Sequence, residues 1–304
     1  MDMAMIVFRQ TLVMFLYMLA GFLLFKRNKI TVHGSRDMAT LLLWLVLPTA
    51  IINSFCVAFS VEKLQQFVFS AALGALALLL AIAVAHFLFK ATPIDNFASA
   101  FSNAGFMGIP LVSASLGSAA VFYLAGIIAL LNILQWTYGV GVLTGKKGSI
   151  SPKSILCNPI MFGTLIGLAL FFTGLGAHLP VVISTTLNGL AALNAPLAML
   201  ILGGYLAQTK IKDMFTSPRL YWLSAVRLAI IPLVTLLVFW PLPVPSEIKL
   251  AIFIAASAPV GANVAVYAQL HGLDYSYACQ TVSLTTLFSV IVLPLMLMAA
   301  NAVL

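Results

Sequence analysis

The chain has 304 residues, 62% of them hydrophobic and 7% charged, with a mean hydropathy of +1.13 and a formal net charge of +8. Charged residues make up about 25% of an ordinary soluble domain, so a soluble enzyme is excluded and a polytopic membrane protein is expected. A net positive charge can signal nucleic acid, but the placement of the basic residues along the chain decides that question.

Apolar runs of about 20 residues are long enough to cross a bilayer. The first, roughly 4–25, lacks a basic start and a small-residue cleavage site, holds Arg9 and runs directly into Lys26–Lys29, so it reads as a retained span and not as a signal peptide. The second, 37–58, carries Pro48 and Asn53, and the third, 66–89, carries His86 near its end. The fourth, 96–116, contains "SNAGFMGIPLV", with Asn103, Gly105, Gly108 and Pro110. The fifth, 118–143, contains "LLNILQW", with Asn132 and Gln135. The sixth, 158–175, opens on Asn158-Pro159 and holds "GTLIG", a close-packing spacing of glycines. The seventh, 180–207, carries Asn188, Asn194 and Pro196, and the eighth, 218–240, carries Arg227 and Pro232. The ninth, 247–270, contains "SAPVGANVAV", with Pro259, Gly261 and Asn263, and the tenth, 275–302, carries Gln280 and Pro294.

Ten spans leave nine short connections. The odd-numbered ones hold Lys26, Arg27, Lys29, Arg36, Lys90, Lys146, Lys147, Lys153, Lys210, Lys212 and Arg219; the even-numbered ones and their flanks hold Lys63 and Lys249. By the positive-inside rule the odd connections are cytoplasmic and both termini lie outside. The positive charge is thus a topology signal, and no nucleic acid is expected.

Pro48 and Pro196 lie at nearly the same offset as Pro110 and Pro259. That spacing predicts two repeats of five helices, 1–143 and 155–304, joined by a cytoplasmic loop at 144–154. Five is odd, so the second repeat is inserted upside down. Paired Gly/Pro-interrupted segments in inverted halves mark the binding site of a secondary transporter. Broken backbone at membrane depth persists only where protein buries it or where it lines a polar cavity. Here breaks at Pro110 and Pro259 are expected to aim half-helix N-termini at the centre, with Gly105, Gly108 and Gly261 allowing close approach. The result is an anion site without a fixed cation.

These residues resemble a known family. "NAGFMGIPL", "NP" followed by "LIG", "AVRLAIIPL" and "APVGANVAVYAQLHG" look like the auxin efflux carriers, which include plant auxin carriers and bacterial malate and malonate carriers. The resemblance runs through the whole chain in order. It implies an all-α fold of ten helices in two inverted five-helix repeats, with crossover helices 4 and 9, akin to bile-acid sodium symporters and sodium/proton antiporters. It further implies a dimerising scaffold of helices 1, 2, 6 and 7 and a moving transport domain of helices 3–5 and 8–10. By the same resemblance Asn103 contacts the substrate carboxylate, Pro110 is the crossover proline, and Asn132 stands where plant carriers have a site-lining Gln. The second crossover proline of plant carriers is replaced near Asn263–Val264, and their acid/Lys pair is present only as Glu62 with Gln66. Their long cytoplasmic loop is absent, so its phosphorylation control is not expected.

Arg227 falls near midplane; it is either a site cation or a donor to carbonyls freed by a broken helix, the second being favoured. Asn53, Asn188, Asn194 and Gln280 read as interhelical hydrogen-bonding residues, with Asn53 and Asn194 also candidates for the site. Cys56, Cys157 and Cys279 have no metal-ligand spacing, and no HExxH, GxSxG or complete phosphate loop is present, so neither a cofactor nor a metal is expected. The expected site is Asn103, Gly108, Pro110, Asn132, Gln135, Pro259, Gly261 and Asn263, with Asn53, Asn194 and Arg227 as further candidates. The sequence reads as a secondary transporter of a small organic carboxylate, a homodimer in the cell membrane working by an elevator-type motion. A sodium- or proton-coupled symporter on the same fold is the alternative, and an intramembrane enzyme or a binding module the more distant rivals.

Overall fold

The structure, a computed structural model, describes residues 3–145, 158–209 and 211–304. Most of the expected 144–154 loop, with Lys146, Lys147 and Lys153, lies outside the described residues, as do Cys157 and Lys210. In chain order the helices are α1 (Met3–Lys26), α2 (Val32–Ser54), α3 (Val61–Leu88), α4 (Pro93–Ala100), α5 (Ala104–Leu116), α6 (Ser118–Thr144), α7 (Pro159–Thr173), α8 (Val181–Gln208), α9 (Ile211–Thr216), α10 (Pro218–Phe239), α11 (Ser246–Ser257), α12 (Asn263–Leu270) and α13 (Tyr275–Val303). Among the described residues the β pairing is confined to one isolated antiparallel bridge, Ser102 to Val260.

Seven of these helices, α1, α2, α3, α6, α8, α10 and α13, are long and apolar enough to cross a membrane. The other three expected spans look different. The sixth is α7, whose 15 residues rise about 22 Å, short of a hydrocarbon core about 30 Å thick. The fourth is split into α4 and α5, and the ninth into α11 and α12.

Side-chain caps start several helices where the polar residues of the loops fall. Thr31, Ser60, Asn158 and Asp274 accept from the amides of Gly34, Lys63, Ile160 and Tyr277 at 2.9–3.1 Å. Lipid tails give helices no hydrophobic reason to associate, so small residues at the contacts set how closely they pack. Gly21 of α1 and Gly203 of α8 sit where a Cβ would collide with backbone of the other helix. Gly163 and Gly167, the glycines of "GTLIG", pack on the Pro48 backbone of α2 and on the Phe55 side chain just past its end. Gly74 and Gly126 join α3 to α6. Large apolar side chains point outward from α1, α2 and α8, including Leu16, Trp44 and Val181, whereas every residue of α11 from Ile248 to Ser257 is buried.

Three prolines share one local solution. Pro48, Pro110 and Pro232 each follow a five-residue π turn: Leu42–Val46, Ala104–Gly108 and Val226–Ile230. A proline has no N–H and its ring presses on the carbonyl one turn back. The residue before each proline donates instead to the fifth residue back: Leu47 to Leu42, Ile109 to Ala104, and Ile231 to Val226. The wider turn absorbs the misfit and the helix continues. Pro110 therefore does not break its helix, contrary to the sequence expectation. The interruption lies at Phe101–Asn103, before it, and the matched pair across the crossing is Ser102 and Val260 rather than Pro110 and Pro259.

Candidate functional site

The two interruptions meet each other. Pro259 biases Ala258 away from helical angles, and Ala258 adopts φ −57°, ψ 152°, ending α11. Beyond it the chain runs through Val260 and Gly261 before α12 begins. Alongside, Phe101 at φ −113°, ψ 112° ends α4. The two extended segments pair antiparallel: the Asn103 amide donates to Pro259 O at 2.8 Å, and the Gly261 amide to Phe101 O at 3.0 Å. A Cβ on Gly261 would stand 3.1 Å from Ser102 O, so glycine permits the approach. The Val260 amide is taken by Thr285 Oγ1 of α13 at 3.2 Å. Backbone released from helix is thus satisfied by backbone and hydroxyl groups deep in the protein, as an apolar surrounding requires.

The carbonyls at the ends of α4 and α11 converge on Arg227, which is fully buried. Its Nε donates to Ala258 O at 3.0 Å, Nη1 to Ser99 O at 2.9 Å, and Nη2 to Ala256 O. All three of these bonds go to carbonyls at or just past the ends of interrupted helices.

On the other side of the crossing the second half-helices begin. The first bonds within α5 are donated by Met107 and Gly108 to Asn103 O, leaving the amides of Ala104, Gly105 and Phe106 ahead of them at a positive helix end. At α12 the first turn is already tight: Val264 donates to Gly261 O and Ala265 to Ala262 O. Polar donors there come from side chains. A cavity of about 30 Å³ is lined by Ser102, Asn103, Gly105, Asn132, Gly261 and Asn263, walled by Leu43, Leu47, Phe106, Ile128, Leu131 and Ile160. Such a volume holds on the order of two waters. Asn263 Nδ2 donates to Gln135 Oε1 at 2.9 Å, and Asn132 Nδ2 to Ile128 O at 2.8 Å. Asn103 Nδ2 and Gln135 Nε2 are buried with no hydrogen-bond partner. Unmade buried donors cost about 1–3 kcal/mol each, which makes these two amides candidate donors to the acceptor atoms of a ligand.

The family model described as "Membrane transport protein" matches residues 6–154 and 148–297. The chain belongs to that family, the auxin efflux carriers. That family is one of membrane transport proteins and not of enzymes. The chain is also similar to a protein named "Putative malonate transporter" from Rhizobium meliloti (strain 1021), 26% identical over 212 residues, which are 65% of this chain and 63% of that one. The chain thus spans less than two thirds of the length of the curated relative it matches.

The structure puts the residues expected at the site in different places. Asn103, Asn132, Gly261 and Asn263 line the cavity and Gln135 joins them through Asn263. Pro259 supports the crossing through its carbonyl, and Arg227 lies behind it. Gly108 and Pro110 are not brought to the cavity. A Cβ on Gly108 would meet Ala255 of α11 at 3.3 Å, so this glycine serves helix packing, and Pro110 sits about two turns beyond Asn103. Asn194 Nδ2 donates to Gly105 O at 2.8 Å, tying α8 to the first turn of α5. Asn53 Nδ2 donates to Asn188 Oδ1 at 2.9 Å, the interhelical bond expected of both.

Two larger cavities flank the crossing. One of about 250 Å³ shares Leu43, Asn132, Ile160 and Asn263 with the central cavity and adds Trp44, Trp136 and Tyr267. The other, about 590 Å³, is lined by Asn53, Ser54, Ser113, Ser184 and Asn188 among others, and reaches Ala50 and Ile109, a turn away from Leu47 and Gly105. Sequence reasoning missed Trp136 and Tyr267, which read as ordinary apolar helix residues. It also missed a buried acid. Asp95 accepts from Arg219 Nε at 2.6 Å and Tyr277 Oη at 2.7 Å, with the Arg219 guanidinium over the Tyr277 ring. An Asp two residues after Pro93 reads as a helix-start residue, and nothing in the sequence announces its burial.

Proposed function

We propose that this carrier moves a small organic carboxylate, malonate- or malate-like or auxin-like, across the cell membrane by an elevator-type motion. The observation that carries the reading is the buried, unpartnered amide of Asn103 at the crossing of two interrupted helices, beside the open amides of α5. Amide donors and a helix N-terminus suit a carboxylate and release it more readily than a fixed ion pair would. The relative named for malonate supports the substrate class. A cavity of about 30 Å³ is too small for such an anion, so binding requires the site to widen into the adjoining 250 Å³ cavity, with which it shares Asn132 and Asn263.

The same reading takes the chain as ten passes in two inverted five-helix repeats, the first at 1–143 and the second at 155–304. Packing of α1 on α8 and of α7 on α2 supports it, because exchange of the repeats converts one contact into the other. Helices α1, α2, α7 and α8 form the scaffold and the homodimer surface. The segment Val181–Ala192, which has no buried residue, supports an outward role for α8. Both termini face the outside of the inner membrane, as the basic connections require. Whether a sodium or proton gradient drives transport is the open alternative. Uptake of labelled malonate into proteoliposomes, with competition by malate and indoleacetate, tests the function. Saturable uptake blocked by at least one of them is expected, and uptake no faster than in empty liposomes would overturn it.

A further inference from the structure

Arg227 is unlike an ordinary buried arginine. Its bonds go to three backbone carbonyls, and no acidic side chain among the described residues lies within ion-pair distance of it. A buried cation without a counter-charge is costly, and neutral oxygens only partly offset that cost. The three carbonyls are a particular set. Ser99 lies in the last turn of α4, Ala256 in the last turn of α11, and Ala258 just past its end. Both helices present their partially negative ends at this point. Unwound carbonyls and half-helix C-terminal ends near the midplane are what transporters use to coordinate a coupling cation. In this chain a guanidinium fills that nest, delivered by the π turn Val226–Ile230 of α10.

We propose that Arg227 is a tethered counter-charge: it occupies the carbonyl nest of the crossing, so the protein binds its anion without a soluble coupling cation at that place. The crossing then has two poles. The guanidinium caps the negative ends of α4 and α11 on one side, and the amide side chains and the start of α5 face the anion on the other. Arg227 is a positioning residue, since it reaches the anion only through the paired segments Phe101–Asn103 and Ala258–Gly261. Its fixed charge also leaves the site net positive before the anion arrives. The binding arm of the test rests on the carboxylate reading; the stability arm does not.

The experiment uses the full chain in detergent. Thermal melting of wild type and Arg227→Ala is followed while guanidinium, sodium or choline chloride is titrated at low millimolar concentration and constant ionic strength. Arg227→Ala is expected to melt lower and to recover saturably with guanidinium, while wild type responds to none of the three salts. An Arg227→Ala protein that melts like wild type, or that guanidinium does not restore, would overturn the nest. Should Arg227→Ala not fold, Arg227→Lys keeps the charge but loses the fork, and is expected to melt between wild type and complete loss. An Arg227→Lys protein equal to wild type overturns the geometric part. In parallel, malonate binding to wild type is compared in sodium and choline chloride. Equal affinity is expected, and sodium-dependent binding refutes the counter-charge role. Absence of malonate binding in both salts counts against the substrate reading, while the melting arm still decides the nest.

Discussion

Substitution of Asn103 separates a binding residue from a structural one because its two polar ends do different things. The backbone amide holds the crossing by donating to Pro259 O at 2.8 Å, and no side-chain replacement touches that bond. The side-chain Nδ2 is buried and unpartnered. Asn103→Ala therefore removes no hydrogen bond from the unliganded protein and relieves a buried donor that costs about 1–3 kcal/mol. Melting in detergent is expected to stay unchanged or rise by a few degrees. With a carboxylate bound, the same change removes a charge-assisted hydrogen bond of about 1.5–3 kcal/mol, which corresponds to roughly tenfold to hundredfold weaker affinity. Asn103→Asp weakens binding further, since it replaces a donor by a like charge in a site of low dielectric. The assay is equilibrium binding of labelled malonate to purified protein, with a melting curve for each variant. Wild-type affinity in Asn103→Asp at neutral pH would refute the reasoning, and so would a loss of affinity in Asn103→Ala accompanied by an equal loss of stability.

Gly203→Ala places a methyl group against the Met18 carbonyl and the Phe22 amide of α1, and overpacking of this kind costs about 1–3 kcal/mol, read as a lower melting temperature. Asn194→Ala removes the bond from α8 to Gly105 O; a change in transport rate with unchanged malonate affinity is expected, and stopped-flow uptake set beside equilibrium binding measures it. Asp95→Asn leaves Arg219 without its carboxylate partner; because the Arg219 side chain is 49% exposed, water takes over, and the cost by melting should stay below the roughly 3–5 kcal/mol of a fully buried pair. In a cysteine-free background, single cysteines at Lys90 and Ser118 tested in intact cells with an impermeant maleimide should label only at Ser118, and labelling at Lys90 would reverse the topology.

Much of this protein was legible without coordinates because the bilayer imposes a length and the translocation machinery a charge bias. Apolar runs place the long helices whatever packs on what, and the close-packing spacing of Gly163 and Gly167 was legible although their partner, α2, was not. Pro259 likewise set the end of α11, since a proline constrains the residue before it wherever it stands. The other interruption was decided elsewhere. Phe101, Ser102 and Asn103 contain no residue that forbids a helix, and Pro110, which does, is accommodated by a π turn. The chain opens at Ser102 because the extended segment around Val260 lies beside it and offers Pro259 O and the Gly261 amide in exchange for helical bonds. The same holds for Arg227, whose position in α10 was plain but whose partners come from α4 and α11. Asp95, an ordinary helix-start acid in sequence, is buried against Arg219 of α10 and Tyr277 of α13, partners that only the fold supplies. Local sequence fixes what a segment can do alone; where two segments satisfy each other's backbone, the choice belongs to the pair, and only the tertiary structure makes it.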